Sequence, residues 1–333
     1  LAVTIKDIAR LAGVSVTTVS KIINGKDQDI SAPTREKVQN LIKEYKYTPN
    51  KIAQSMVTKE TKTIGLVIPD VRNPFFTEIA RGVEDQAIEK GYSVIICNTD
   101  DDIKKEIMYI EMLAEKRVDG LILAPAILRN EDLEKEVQVS TPIVLIDRET
   151  SIKGIKGKIR IDNFQGAYDA VKCLIDLGSK DILFFSGPIN EFPSKDRLAG
   201  YKKALEDHDI DFCIENVFIG DFKRNWSEEK IKQLVSKGKS FTSVFCGNDL
   251  IAIDVIKALQ KSGKRVPDDI SIIGFDDSPI ATVINPELTT IRQPSYEIGS
   301  KSVELLLKSI NDKESSYHEI QLKHELIIRN STK

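Results

Sequence analysis

Residues 4–24, TIKDIARLAGVSVTTVSKIIN, decide how the chain begins to fold. Ile5, Ile8, Ala9 and Ala12 recur at helical spacing, and Thr4 with Asp7 three residues on has the form of a capping box. Gly13 stands where that helix must stop in a left-handed conformation. Ser15 then caps a second helix that buries Val19, Ile22 and Ile23. Helix, glycine turn, helix is the spacing of a helix-turn-helix. The second helix turns Val16, Thr17, Ser20 and Lys21 outward near its amino-terminal half, where base edges would be read. A third helix is predicted after Ser31, with Val38, Leu41 and Ile42 as the face that covers the first two.

Charge agrees with this reading. Residues 1–60 hold ten Lys/Arg against six Asp/Glu, while the remainder holds 38 against 45. A basic end on an acidic body points to a polyanion contact at the amino terminus. At 333 residues, 41% apolar and 30% charged, the chain is expected to fold as two or three globular domains. No apolar run reaches the ~18 residues of a membrane span. The first residues lack the basic-then-apolar order of a secretion signal, so a cytoplasmic location and no membrane partner are expected. Cys97, Cys173, Cys213 and Cys246 are widely spaced, with no CxxC pair or neighbouring histidine. They read as reduced, buried thiols rather than a disulfide or zinc site.

After the third helix comes YTPNKIAQSMVTKETKTIG (47–65). About two turns of helix fit NKIAQSMV, too few to be stable alone. The segment reads as a linker that orders on DNA, with Met56 as an apolar wedge for a minor groove. From Ile64 short apolar runs alternate with helical stretches. TIGLVIPD, SVIICNT, VDGLILAP and PIVLID form one set, and DILFFSG, NVFIGD, SVFCGND and ISIIGFDD a second. This alternation predicts parallel sheets with crossover helices, in two similar subdomains that meet near residues 159–166. The helix in IGSKSVELLLKSI is expected to return to the first subdomain, and HEIQLKHELIIRN to add late strands.

Open parallel sheets bind ligands beyond the carboxyl ends of their strands. Informative residues gather at those ends: Asn73, Phe75 and Phe76 after the first strand, Asp147 and Arg148 after PIVLID, Arg197, Trp226, Asn248, Asp276 and Gln293. Carboxylates and amides bond vicinal hydroxyls, arginines offer fixed donor forks, and aromatic rings cover the C–H face of a sugar. The set therefore has the chemistry of a sugar pocket. No P-loop, GxGxxG, nucleophile elbow or HExxH is present, and none of His208, His318 and His324 sits at a predicted strand end, so catalysis is not expected. The acidic run Asp100, Asp101 and Asp102 reads as a solvated loop.

The stretches TIKDIARLAGVSVTTVSKIIN, YTPNKIAQSM, IPDVRNPFF, VDGLIL, GNDLIAIDVIKAL, ISIIGFDDSP and LTTIRQP closely resemble the lactose-repressor (LacI/GalR) family of bacterial repressors. The resemblance covers essentially the whole chain and is nearest to the ribose operon repressors. It implies an all-α headpiece (residues 1–48), a hinge helix and linker (49–61), and a periplasmic-binding-protein-like α/β core of two doubly wound parallel sheets. The implied core divides into 62–161 plus 291–322 and 162–290 plus 323–333. It further implies DNA reading by Val16, Thr17 and Lys21. The candidate contact set extends to Thr4, Ser15, Thr18, Ser20 and Asn24, with Asn50, Ala53, Gln54 and Met56 in the hinge. Many members carry leucine where this chain has Met56, an adaptable apolar replacement.

Further implications are a homodimer on a two-fold operator in double-stranded DNA, a bacterial, nucleoid-associated location, and D-ribose or a related sugar as effector with no other cofactor. The residues matching a ribose pocket are the strand-end set given above. Its aromatic is the loosest match, with Phe222 close enough to serve in place of Trp226. Two alternatives stand beside this reading. One is a carbon-catabolite regulator of the same family that requires a phosphoprotein corepressor. The other is a sugar-transport binding protein, against which the headpiece argues.

Overall fold

A computed structural model describes residues 3–48, 60–126, 137, 140–189, 192–223, 225–312 and 317–333. The hinge candidates Asn50, Ala53, Gln54 and Met56 lie outside the described residues. The chain separates into a unit ending at Thr61 and a unit from Lys62 to Lys333.

The first unit contains helices α1 (Ile5–Ala12), α2 (Val16–Ile23) and α3 (Ala32–Glu44). The Asp7 N–H donates to Thr4 Oγ1 (3.3 Å) and the Thr4 N–H to Asp7 Oδ2 (3.1 Å), which completes the capping box. The Thr4 hydroxyl, donating to Asp7 Oδ2 at 2.7 Å, and the Thr4 N–H hold the Asp7 carboxyl below its usual range. At the other end of α1, Val14 N–H reaches Ala9 O and Gly13 N–H reaches Arg10 O, with Gly13 at φ 73°. This is a Schellman stop, and it repeats after α2 at Gly25 (φ 65°). The α2 cap is the Ser15 hydroxyl, which accepts from Thr18 N–H at 3.1 Å. Ile8, Ala9, Ala12, Val19, Ile22 and Val38 form the buried core, and Ile23, Leu41 and Ile42 pack partly buried against it. So α3 contributes the apolar face expected of it, with Val38 at the centre and its neighbours at the margin.

In the second unit the elements are β1 (Thr63–Ile68), α4 (Pro74–Glu89), β2 (Ser93–Asn98), α5 (Ile103–Glu115), β3 (Gly120–Leu123), β4 (Ile143–Ile146) and β5 (Ile155–Ile161). They are followed by α6 (Asn163–Asp176), β6 (Ile182–Ser186), α7 (Ser194–Glu206), β7 (Val217–Ile219), α8 (Trp226–Ser236), β8 (Ser243–Cys246), α9 (Asp249–Lys261) and β9 (Ser271–Asp276). The last are β10 (Thr289–Arg292), α10 (Ser295–Asn311), β11 (His318–Leu322) and β12 (Glu325–Ile327).

One sheet has the order β11-β5-β4-β3-β1-β2 and the other β12-β10-β9-β8-β6-β7. Among the described residues every pairing is parallel except β10 with β12. Both sheets thus share one doubly wound plan, with a switch point between β1 and β3 in the first and between β6 and β8 in the second. Strand β10 belongs wholly to the second sheet, so the return to the first begins at Gln293. Inner strands such as β3, β4, β6, β8 and β9 are buried throughout, as parallel strands covered on both faces must be.

Helix α10 returns to the first sheet, as its sequence predicts, and crosses α4 closely. A Cβ on Gly82 would stand 2.1 Å from Tyr296 O, and one on Gly299 would stand 2.2 Å from Ile79 O. Of the cysteines, Cys97 and Cys246 are buried, Cys173 is partly so and Cys213 is exposed, which corrects the expectation of four buried thiols. No described helix is long and apolar enough to cross a membrane.

Because both clashes at the crossing are with backbone, neither neighbour can give way by rotating a side chain. Gly299→Ala is expected to cost about 1–3 kcal/mol of core stability. Urea unfolding followed by circular dichroism measures it, and an unchanged midpoint would refute the close-approach argument.

Candidate functional site

Val16, Thr17, Ser20, Lys21 and Asn24 share one face of α2, set by i, i+4 spacing and opposite the buried Val19 and Ile22. Val16 is 40% exposed, and Thr17 is exposed beside it. The other candidates already hold partners. Thr4, Ser15 and Thr18 are occupied in the caps, and Asn24 Nδ2 donates to Ser20 O at 2.9 Å. Lys21 Nζ lies 2.5 Å from Asp29 Oδ2 in an exposed pair. A phosphate or base edge would therefore compete with Asp29 for that ammonium.

In the core unit a cavity of about 260 Å³ opens between the two sheets. Asn73, Phe75, Phe76, Asp147, Arg148, Arg197, Asn248, Asp276 and Gln293 line it, together with Phe222 and Pro193. Nine of the ten residues picked from strand ends therefore meet in one place. Trp226 is not among them. Its ring stacks on Phe185 at 5.7 Å, and its Nε1–H donates to Asp221 O at 2.9 Å. That bond folds the loop back and leaves Phe222 facing the cavity, where Asn248 Nδ2 holds its carbonyl at 3.1 Å. Pro193 carries no signal in the sequence.

The two asparagines are pseudo-equivalent. Asn73 Oδ1 accepts from Phe75 N–H (3.1 Å) at the start of α4, and Asn248 Oδ1 from Ile251 N–H (2.9 Å) at the start of α9. Each is a helix cap; the Asn73 amide nitrogen remains for the cavity, while that of Asn248 already gives one hydrogen to Phe222 O. The two lining carboxylates sit on unusual backbone. Asp147 has φ 62° and is the centre of a γ-turn closed by Arg148 N–H to Ile146 O at 2.6 Å. Asp276 has φ 117° and Asp277 φ 54°. Such conformations persist only where the surroundings enforce them, and they concentrate at functional sites.

Burial raises the pKa of Asp147 and Asp276, and nearby arginines pull both back. Arg197 is lowered by burial and supported by Asp276 and Asp147. Its Nε–H donates to Asn163 Oδ1 at 2.9 Å and its Nη1 to Gly247 O, while the Phe275 ring lies 3.7 Å from its Cζ. Gln293 Nε2 donates to Asp276 Oδ1 at 2.8 Å. Beneath this layer lies Asp249, which falls within the stretch GNDLIAIDVIKAL but is not among the strand-end candidates. Its carboxylate accepts from Ser278 N–H (2.7 Å), Ser278 Oγ (2.9 Å) and Thr290 Oγ1 (2.6 Å), tying α9 to the segment after β9 and to β10. Burial pushes it from 3.8 up to about 7. The acidic run is also not wholly solvated, because Asp101 turns inward to Arg148 Nη1 at 2.6 Å. Among the described residues no group of three or more His, Cys, Asp or Glu is placed to hold a metal ion.

Residues 4–50 match the family described as bacterial regulatory proteins, lacI family. Residues 61–330 match the periplasmic binding proteins and sugar binding domain of LacI family. The transcriptional regulator RegA of Clostridium saccharobutylicum is 39% identical over 333 residues, the whole of both chains. Among solved structures, a lac repressor dimer bound to operator superposes with a TM-score of 0.87 at 28% identity, covering 100% of this chain and 99% of that one. A LacI family regulator from Enterococcus faecium with bound ribose gives 0.68 at 32% identity, covering 81% and 98%. Other full-length relatives are named PurR, ribose operon repressor and catabolite control protein A, so overall identity by itself does not select an effector. These relatives are regulators and not enzymes.

Two outcomes follow for the site. Lys21→Ala should weaken DNA binding and lower the slope of log affinity against log salt by about 1, the contribution of one cation. The thermal midpoint should hardly move, since exposed ion pairs contribute little. Anisotropy titrations across a salt series measure the slope, and an unchanged slope removes Lys21 from the interface. For Asp249, the folded state keeps a proton between pH 4 and 7 that the unfolded chain has lost, so the wild type loses stability as pH rises through that window. Asp249→Asn lacks this titration. Its stability relative to wild type should climb between pH 4 and 7, and a difference that is flat with pH in urea unfolding would contradict the buried carboxyl.

Proposed function

The chain belongs to the lacI family of bacterial regulatory proteins, and from that premise we propose that it is a transcriptional repressor whose operator affinity is lowered by ribose or a closely related pentose in the cleft. The observation that carries this is the charge and shape of the cavity lining. Two carboxylates, Asp147 and Asp276, stand against two guanidiniums, Arg148 and Arg197, so the formal charges of the lining cancel. A neutral ligand rich in hydroxyls satisfies such a set, whereas a phosphorylated sugar would leave an uncompensated charge. Phe75, Phe76 and Phe222 supply apolar cover for a sugar ring.

On the DNA side, Val16, Thr17 and Lys21 form the reading face and Ser20 and Asn24 its continuation. One short helix offers too small an interface for tight, selective binding, and a homodimer on a two-fold operator supplies the second half-site. Exposed apolar side chains on the outer edge strands support self-association, Ile96 on β2 and Ile219 on β7. The lac repressor neighbour is itself a dimer on its operator. The covalent route from cleft to headpiece passes through residues 49–61, and the sugar acts on DNA through that segment. By linkage, the factor by which ribose weakens operator binding is the factor by which operator weakens ribose binding.

The test is an operator duplex selected from a random pool, titrated with the full chain at increasing D-ribose. Millimolar ribose is expected to lower affinity, on the order of 5- to 150-fold. No response to any pentose would overturn the pentose reading, and a response to a hexose or a purine base instead would replace it.

A further inference from the structure

Resting on the pentose reading, we infer that Asp101 is a positioning residue that fixes the guanidinium plane of Arg148 and thereby sets which sugar epimers the cleft accepts. Arg148 is 4% exposed. Its Nη1 donates to Asp101 Oδ1 at 2.6 Å and to Pro125 O at 3.0 Å, two acceptors that are not part of the cavity lining. The Phe76 ring, 5.5 Å from Cζ, covers one face of the group. With one nitrogen held twice and one face covered, the plane has a single setting. In that setting the Nε–H is buried 3.6 Å from Asp147 Oδ2 and has no hydrogen-bond partner among the described residues. A buried donor left in this way is costly unless something arriving in the cleft accepts from it.

The backbone is shaped for this contact. Asp100 and Asp101 both take left-handed conformations, at φ 57° and 63°, which aspartate tolerates better than most residues. The flanking carboxylates anchor the loop. Asp100 accepts from Asn98 Nδ2 (2.7 Å) and Lys105 Nζ (2.6 Å), and Asp102 accepts from Lys104 N–H (2.8 Å) as the cap of α5. Asp101 is the member of the run turned to Arg148. Epimeric pentoses present the same hydroxyls in different directions, and a fixed fork distinguishes directions where a loose one follows the ligand.

The test uses the full chain with Asp101→Asn, which keeps the shape and removes the charge, and Asp101→Ser as a second variant should the first not fold. Calorimetry gives dissociation constants for D-ribose, D-xylose and D-arabinose, and side-chain ¹⁵N spectra report rotation of the Arg148 guanidinium. Ribose affinity is expected to fall on the order of tenfold, as for loss of one charge-assisted hydrogen bond, and the preference for ribose over its epimers to shrink. The Arg148 nitrogens, distinct in wild type, should average in the variant. Equal weakening for all three sugars, or an unchanged preference, overturns the inference. If the wild type binds no pentose, the pentose reading fails by itself and the ¹⁵N spectra decide the positioning role, with unchanged Arg148 signals overturning it.

Discussion

Parallel strands buried on both faces must all end on the same side, and they leave their last backbone groups and first loop residues at that edge. Two such sheets facing one another create a polar rim inside an apolar body. Everything at the rim must be hydrogen-bonded, ion-paired or reserved for a ligand, because an unpaired polar group there is expensive. The arrangement around Arg197 shows how this is met. One nitrogen goes to Asn163 at the start of α6, one to the Gly247 carbonyl at the end of β8, and the planar face lies on Phe275 of β9. A single side chain thus ties together three elements of the second subdomain and still faces the cavity.

Asp249 has the matching role in the layer beneath. It fixes Ser278, two positions after Asp276, and Thr290, three positions before Gln293. The cavity is built on these supports, which explains why carboxylates can be held at positive φ on its wall. The strain at Asp147 and Asp276 is local, and the bonds that sustain it come from distant segments.

That division also explains what is legible in the sequence. The capping box at Thr4, the stop at Gly13 and the cap at Ser15 are decided within a few residues, so their pattern is visible in the string itself. The nine cavity residues are legible for a different reason. Strand ends converge in any doubly wound pair of sheets, and predicting the strands predicts the rim. Trp226 and Phe222 cannot be separated in this way, because their order depends on how residues 219–226 turn. The turn is set by Trp226 bonding Asp221 O and by Asn248 holding the Phe222 carbonyl from 26 positions away. The Asp101 bond to Arg148 spans 47 positions and that of Asp249 to Thr290 spans 41, and neither pair leaves a local mark.

Asn73 and Asn248 show why a structural role and a binding role are not rivals at such a rim. An asparagine cap uses one side-chain oxygen on its helix and leaves the amide nitrogen directed elsewhere. A binding residue that is also a cap is held without spending flexibility, and the helix dipole it terminates points its positive end at the cleft. The helices α4 and α9 begin at the cavity from opposite sheets, so a ligand bridging Asn73 and Asn248 bonds to the first turn of a helix in each subdomain. Its binding energy is then divided between two bodies, and any change in their separation changes how much of that energy is realised. A molecule held in that way would shift a balance between two arrangements of the core only to the extent that it interacts differently with the two states.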